Sequence, residues 1–385
     1  GNRAPDNKGG AGYDQTRADF DFDRGSNAAA TRINSSGLIE KYRENLLLQS
    51  NNFGTTWSNL SSSETSGQEG YDGTTNAWLL TTTGAGGRLD QSVSLSGVQS
   101  FNIYAKANTF DFLFLLGLGA SDRRANFDLT NGVVATTQNL IDSSIESIGN
   151  GWYRCSITYN DTISGVRVLG LQADNNFTGT SGSIYIQNAQ LETSLVATDY
   201  LNSTSVTAKA GVLIDLPRIN YDANGENGAL LLEPSRLNAV QFSEYFGTWT
   251  NVSNATITHN SLISPEGVKN AAYLQFSNAN QSINLNSNLA TGVICTASVY
   301  VKGTAGETIR IAAGGADSPN LTLSGEWQRL EHTATSLNSS ININTYGGAT
   351  ARNVYIYGAM LEPNASYVSS YIPNHGTSGG VTRAA

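Results

Sequence analysis

The chain has 385 residues, with 22 Lys and Arg against 31 Asp and Glu, and a formal net charge of -9 at pH 7. Only 14% of residues are charged and the acids are scattered, so the basic footprint that a nucleic-acid backbone or an anionic membrane selects is missing. No stretch reaches the roughly 18 consecutive apolar residues of a spanning helix, and neither the two cysteines nor the three scattered histidines make a disulfide framework or a metal motif by spacing.

Residues 1–30 are rich in Gly, Asp, Asn and Ala without apolar periodicity, so they are expected to order only on a partner, as an extended attachment arm. The start lacks the apolar core of a signal peptide. From residue 31 onward, short apolar runs alternate with Gly, Asn, Ser and Thr clusters, the pattern of an all-β protein. The segment Leu38–Leu48 reads as extended, since its counterpart later in the chain contains Pro234.

That counterpart belongs to an internal repeat. LIEKYREN (from Leu38) matches LLEPSRLN (from Leu231), so that Glu40, Arg43 and Asn45 align with Glu233, Arg236 and Asn238. NNFGTTW matches EYFGTW, which aligns Phe53 with Phe246 and Trp57 with Trp249. NIYAKA (from Asn102) matches SVYVKG (from Ser298), NGWYRCSI (from Asn150) matches GEWQRLEH (from Gly325), and YIQNAQLE (from Tyr185) matches YIYGAMLE (from Tyr355). TDYL and SSYI follow, aligning Tyr200 with Tyr371. The expected organisation is a first module over 31–205 and a shorter second one over 206–385, each led by its own linker strand.

LFLLGLG (from Leu113) is continuously apolar and is expected to be buried on both faces. The first module then carries about 20 residues that the second lacks, read as an added hairpin turning at Asn131-Gly132. Some eight strands per module, with Gly or Asn turns about every ten residues, predict two tandem antiparallel β-sandwiches of the jelly-roll kind.

The ordered landmarks AATRINSSGLIEKYRENLLLQSNNFGTTW, VYVK, GNGWYR, IQNAQLE and SYIP resemble the carbohydrate-binding-module-like jelly rolls of bacteriophage head spike or fiber proteins and tail fibers, over roughly residues 20–385. The resemblance implies a virion structural protein on the particle surface, anchored to other virion proteins by its arm and presenting its modules to host-surface glycans. Trimers are frequent among such fibers. A soluble glycan-binding adhesin, or an accessory module of a polysaccharide-degrading enzyme, is the alternative.

No G-x-S-x-G elbow, HExxH or P-loop occurs, and no catalytic residue is expected. Glu192 and Glu362 end equivalent strands but lack the second carboxylate that glycoside hydrolysis uses. Trp57, Trp249, Trp152 and Trp327 recur at matched positions and are expected to be packing residues; Glu40 with Arg43, and Glu233 with Arg236, are expected to pair as framework. Glycan contacts are sought instead in loop aromatics that differ between copies, Phe177 and Tyr346. No cofactor is expected. Asp122, Asp128 and Asp174 are the residues from which a stabilising calcium site would be drawn, without regular ligand spacing.

Overall fold

Alternating apolar and polar residues become strands throughout the computed structural model, which describes residues 29–222, 224–252 and 255–384. Among these the chain is all-β, with one short 3-10 turn at Phe246–Thr248 and no helix long and apolar enough to cross a membrane. The expected arm lies outside the described residues except for Ala29 and Ala30, which are buried. Two compact units form, one from Glu44–Lys209 with Val268–Asn270, the other from residues 29–43, 210–267 and 271–384.

In the first module two strands, Arg88–Ala107 and Trp152–Leu171, are each 20 residues long. Straight, each would span ~66 Å, too long for one layer of a small domain. Both therefore run through two layers. Their ladder runs from Trp152 opposite Lys106 to Val168 opposite Leu89, with a register shift between Ile163 and Gly165 and with Gly97 at φ 100°.

One end of this pair joins Gly182–Glu192, Ala77–Thr82, Ser62–Gln68 and Asp142–Gly149. The other joins Ser58–Leu60, Phe112–Gly119, Arg123–Asp128 and Val133–Gln138. Phe101, Ile103, Cys155 and Ile157 from one layer meet Leu113, Leu115, Phe127 and Val168 from the other in a common core. That is a β-sandwich whose layers share two strands.

The added hairpin is present: Arg123–Asp128 pairs with Val133–Gln138. Its turn is set by Asp128, whose carboxylate accepts the N–H groups of Thr130 and Asn131, and by Gly132 at φ 66°, where a side chain would be strained. Leu113–Leu116 are buried on both faces, the inner pair in the core and Phe114 and Leu116 in an outer cluster with Leu169 and Leu171.

The second module is a plainer sandwich. Its six-stranded layer runs Thr250–Val252, Ser282–Asn286, Ser340–Asn344, Thr308–Ala313, Ala316–Asp317, with Leu321–Thr322 off its path. The five-stranded layer runs Thr256–Leu262, Ala271–Gln275, Asn353–Pro363, Ile294–Gly303, Gln328–Thr335. One core lies between them.

The two modules share a backbone device. In the strand Gly182–Glu192, Asn188 sits at φ 54°, and in Asn353–Pro363 the aligned Gly358 sits at φ 64°. Each left-handed residue marks a bulge at which the ladder with the neighbouring strand slips. The following alanine is thereby freed from the ladder and bonds the leading segment instead: Ala189 N–H donates to Ser50 O and Ala359 N–H to Ser243 O.

An asparagine completes the clasp. Asn45 Nδ2 donates to Ala189 O and Leu201 O, and its Oδ1 accepts from the N–H groups of Leu47 and Leu191. Asn238 repeats all four bonds with Ala359, Ile372, Val240 and Leu361. Both side chains are fully buried. Beside them Trp57 and Trp249 meet Phe53 and Phe246 at 5.2 and 5.1 Å, both at 56°, and are packing residues as expected.

The leading segment behaves differently from expectation. Thr31–Ile33 and Ile39–Lys41 form a hairpin that packs with the second module, where Ala29 and Ile39 join Tyr357, Met360 and Tyr371. The expected module over 31–205 is thus divided after Arg43, and its later limit falls at Lys209.

The expected ion pairs also rearrange. Residues three apart on an extended strand point to opposite faces, so Glu40 pairs across the hairpin with Arg32 at 2.5 Å rather than with Arg43. Glu233 pairs with Arg218 and Arg383, while Arg236 lies 3.9 Å from Glu362.

Replacing Asn45 or Asn238 with Ala leaves two buried carbonyls and two N–H groups unpaired. Chemical denaturation is expected to register a loss of about 3 kcal/mol or more for either variant, against a few tenths for Ala at the exposed Asn59.

Candidate ligand-binding site

The outer face of the five-stranded layer, under the Thr31–Lys41 hairpin, holds a cavity of about 290 Å³. This is at the lower edge of the ~300–1,000 Å³ range of small-molecule sites. Tyr300 and Arg329 project into it from neighbouring strands, Thr31 and Arg32 from the hairpin, and Glu233 and Ser370 from connecting segments. Alternation puts Tyr300 and Arg329 on this face: the intervening Val299 and Leu330 point into the sandwich core.

Arg329 lies 5.3 Å from the centre of the Tyr300 ring. Its Nη1 donates to Ser369 O at 2.7 Å, and its Nη2 to Ser298 Oγ at 3.0 Å and Met360 Sδ at 3.3 Å. Nε is buried without a partner. Glu233 accepts from Ser370 N–H at 2.7 Å, from Ser370 Oγ at 2.6 Å and from Arg218 at 2.9 Å, with Arg383 at 3.3 Å. Burial pushes the Glu233 carboxyl up, but these donors outweigh it and hold the group below its ordinary value. It is an ionised framework anion, not a proton donor.

The first module shows how the cavity arises. There Arg154 stacks on Tyr104 at 5.7 Å and donates to Thr198 O, as Arg329 does with Tyr300 and Ser369. Tyr71, however, lies flat on Tyr104, with centroids 4.4 Å apart and planes 15° apart, and packs with Trp152 and Tyr185. Pro265 aligns with Tyr71, and no ring lies flat on Tyr300; Tyr357 and Tyr371 approach it tilted and edge-on, at 6.0 and 6.5 Å.

Below the hairpin is a second polar cluster. Lys41 Nζ lies 3.0 Å from Glu244 and 2.7 Å from Glu266, with Tyr371 donating to Glu244 at 2.9 Å and Tyr357 to Glu266 at 3.0 Å. Burial opposes the Lys41 charge, yet the two carboxylates hold its pKa above the usual lysine value. Burial pushes both phenols well up. Every group is engaged, and only Tyr371 also borders the cavity, so the cluster is an internal clamp on the hairpin.

The loop aromatics take packing roles. Phe177 is half-buried, edge-on to Phe114 at 5.2 Å, and closes the outer cluster over Leu113–Leu116. Tyr346 is half-buried, its hydroxyl 2.9 Å from Ser282 Oγ. Neither lines the cavity.

The aspartates are apart in role as well. Asp128 holds its turn, Asp174 accepts from Asn126 and Thr136, and Asp122 lies 3.8 Å from Arg124. Among the described residues no three His, Cys, Asp or Glu side chains converge. Glu192 and Glu362 are buried and each accepts a backbone N–H and a hydroxyl, from Thr198 and Ser369 respectively. Burial drives the Glu192 carboxyl up against those bonds. Trp152 is buried on the outer face, and Trp327 donates to Ile263 O at 3.0 Å.

Sequence reasoning passed over Tyr300 and Arg329, though both recur in the VYVK and W-x-R landmarks. Recurrence alone does not single them out; what distinguishes the second copy is the neighbour it lacks.

The fold is a tandem pair of antiparallel β-sandwich modules, the second with an open cavity. No known protein-family profile matches the chain, and no curated protein sequence matches it. Among solved structures it is similar to the tandem CBM22-1–CBM22-2 domains of Paenibacillus barcinonensis Xyn10C, at 10% identity and a TM-score of 0.28, over 88% of this chain and 99% of that one. The single xylan-binding CBM22-1 domain of that protein matches at 14% identity and a TM-score of 0.24, over 34% of this chain and 94% of its own. The enzymatically active domain of bacteriophage CBA120 tailspike protein 4 matches at 12% identity and a TM-score of 0.23, over 33% of this chain and 21% of that one.

The clamp predicts acid sensitivity. Burial holds His375 down to about 4, Glu244 pulling it up and Lys41 reinforcing the depression. Unfolded, it takes a proton near pH ~6.5. The unfolded chain therefore binds that proton first, and stability falls as pH drops from about 6.5 toward 4. Glu244, held below its ordinary value by Lys41 and His375 despite burial, adds a loss at lower pH as it is protonated. Melting temperatures across pH should decline through this window, and His375→Gln should remove the upper part of the decline.

Proposed function

We propose that the chain is a non-enzymatic display protein of a bacteriophage particle whose second module binds saccharide in the cavity beside Tyr300 and Arg329. The observation that carries the binding role is that cavity: an aromatic ring, a guanidinium and several hydroxyls converge in about 290 Å³. Saccharides present alternating C–H faces and hydroxyls, and aromatic and polar side chains held together meet both.

Support for binding rather than hydrolysis comes from the acids. The recurring Glu192 and Glu362 are tied to Thr198 and Ser369 inside their modules, and Glu233 is ionised between two arginines. None is placed as a general acid with a second carboxylate across a cleft. The particle role rests on the ordered landmarks shared with phage spike and fiber proteins, whose asparagines and aromatics form the common framework of both modules.

Two measurements test this. Val368 is half-buried and lines the cavity, so Val368→Trp should fill it and reduce glycan-array signal at least tenfold while circular dichroism stays unchanged; retained binding would refute the site. Mass spectrometry of purified particles should find the polypeptide in stoichiometric amount, and its absence would refute the particle role.

A further inference from the structure

We infer that the saccharide taken by this cavity is acidic, a sugar carboxylate received by Arg329; this rests on the saccharide-binding reading above. Of the charged residues that line the cavity, Arg32 is paired with Glu40, and Glu233 with Arg218 and Arg383. Among the described residues Arg329 has no carboxylate partner, and its bonds go to a carbonyl, a hydroxyl and a thioether. A half-buried guanidinium with an unused N–H and no counter-ion is incomplete, because guanidinium bonds best to a planar carboxylate.

The first module shows the same arginine completed internally. Arg154 Nε donates to Asn102 Oδ1 at 3.2 Å. Ser298 aligns with Asn102; its shorter hydroxyl meets Nη2 instead, and Nε of Arg329 is left without an acceptor. Two changes therefore coincide in the second copy. No ring lies flat on Tyr300 as Tyr71 does on Tyr104, which opens space, and the acceptor that satisfies Arg154 Nε is absent, which leaves Nε of a cavity-lining arginine unpaired. An anionic group on a sugar seated against Tyr300 supplies what both changes removed.

Ser298→Asn restores the acceptor of the first module, so it tests the inference without removing the framework arginine; Arg329→Gln is the companion variant. The full-length chain and both variants are applied to an array pairing uronate- and sialate-bearing glycans with neutral counterparts. The expected result is a preference of at least tenfold for the carboxylated members that weakens with added salt, as an ionic contact would, and collapses toward parity in both variants. Equal binding of neutral counterparts, unchanged by Ser298→Asn, would overturn the acidic assignment while leaving the saccharide site standing. No binding to any glycan would overturn both.

Discussion

The bulge at Asn188 and Gly358 is the constraint on which each module is organised. A left-handed residue in mid-strand removes the next alanine from its ladder, and a buried peptide group without a partner costs about as much as a lost hydrogen bond. That alanine must be bonded by something else. The leading segment does so, through the carbonyls of Ser50 and Ser243 and the four bonds of Asn45 or Asn238. Asn or Gly at the bulge follows from φ near +54 or +64°, a region other residues enter only with strain. The position of the leading segment, with its Phe–Trp pair, then follows from the bonds that the bulge exposes.

The same clasp fixes the closing segment. Leu201 O and Ile372 O are held by the same asparagines, and Tyr200 and Tyr371 reach Ser50 and Ser243. Thr198 and Ser369, just upstream, are bound by Glu192 and Glu362 and by Arg154 and Arg329. The arginines are thus set by backbone geometry on the outer face, ring against tyrosine. Both lie against a tyrosine and bond the closing segment, though through different nitrogens, and what surrounds them decides whether the arrangement is closed or open.

Much of this was legible in the sequence, for physical reasons. Period-two alternation decided the strands, Asn131-Gly132 named its own turn, and the unbroken LFLLGLG run announced a strand covered on both sides. Recurrence marked Trp57, Trp249, Glu192 and Glu362 as framework, and all four are buried. The glycan residues did not follow: Phe177 differs between copies because it covers an apolar strand only the first copy exposes, not because it faces solvent. The hairpin over 31–41 was assigned to the wrong module, since its alternation states that it has a buried face but not against what. Thr31 Oγ1 bonds Tyr371 O, 340 residues away, and no local pattern encodes that contact.

Duplication explains why the open site is in the plainer copy. The first module has the added hairpin, Tyr71 over Tyr104 and Asn102 against Arg154, so its outer face is satisfied from within. The second has neither that stacked ring nor that acceptor, and its outer face is closed instead by the hairpin, clamped through Lys41 between Glu244 and Glu266. A hairpin seated on a sheet by one buried ammonium, a few apolar side chains and scattered hydrogen bonds meets that surface less completely than a ring stacked at 4.4 Å, and the difference is the cavity. The framework residues that recur are thus the means by which the cavity's walls are held, and the residues that fail to recur at 265 and 298 are what open it.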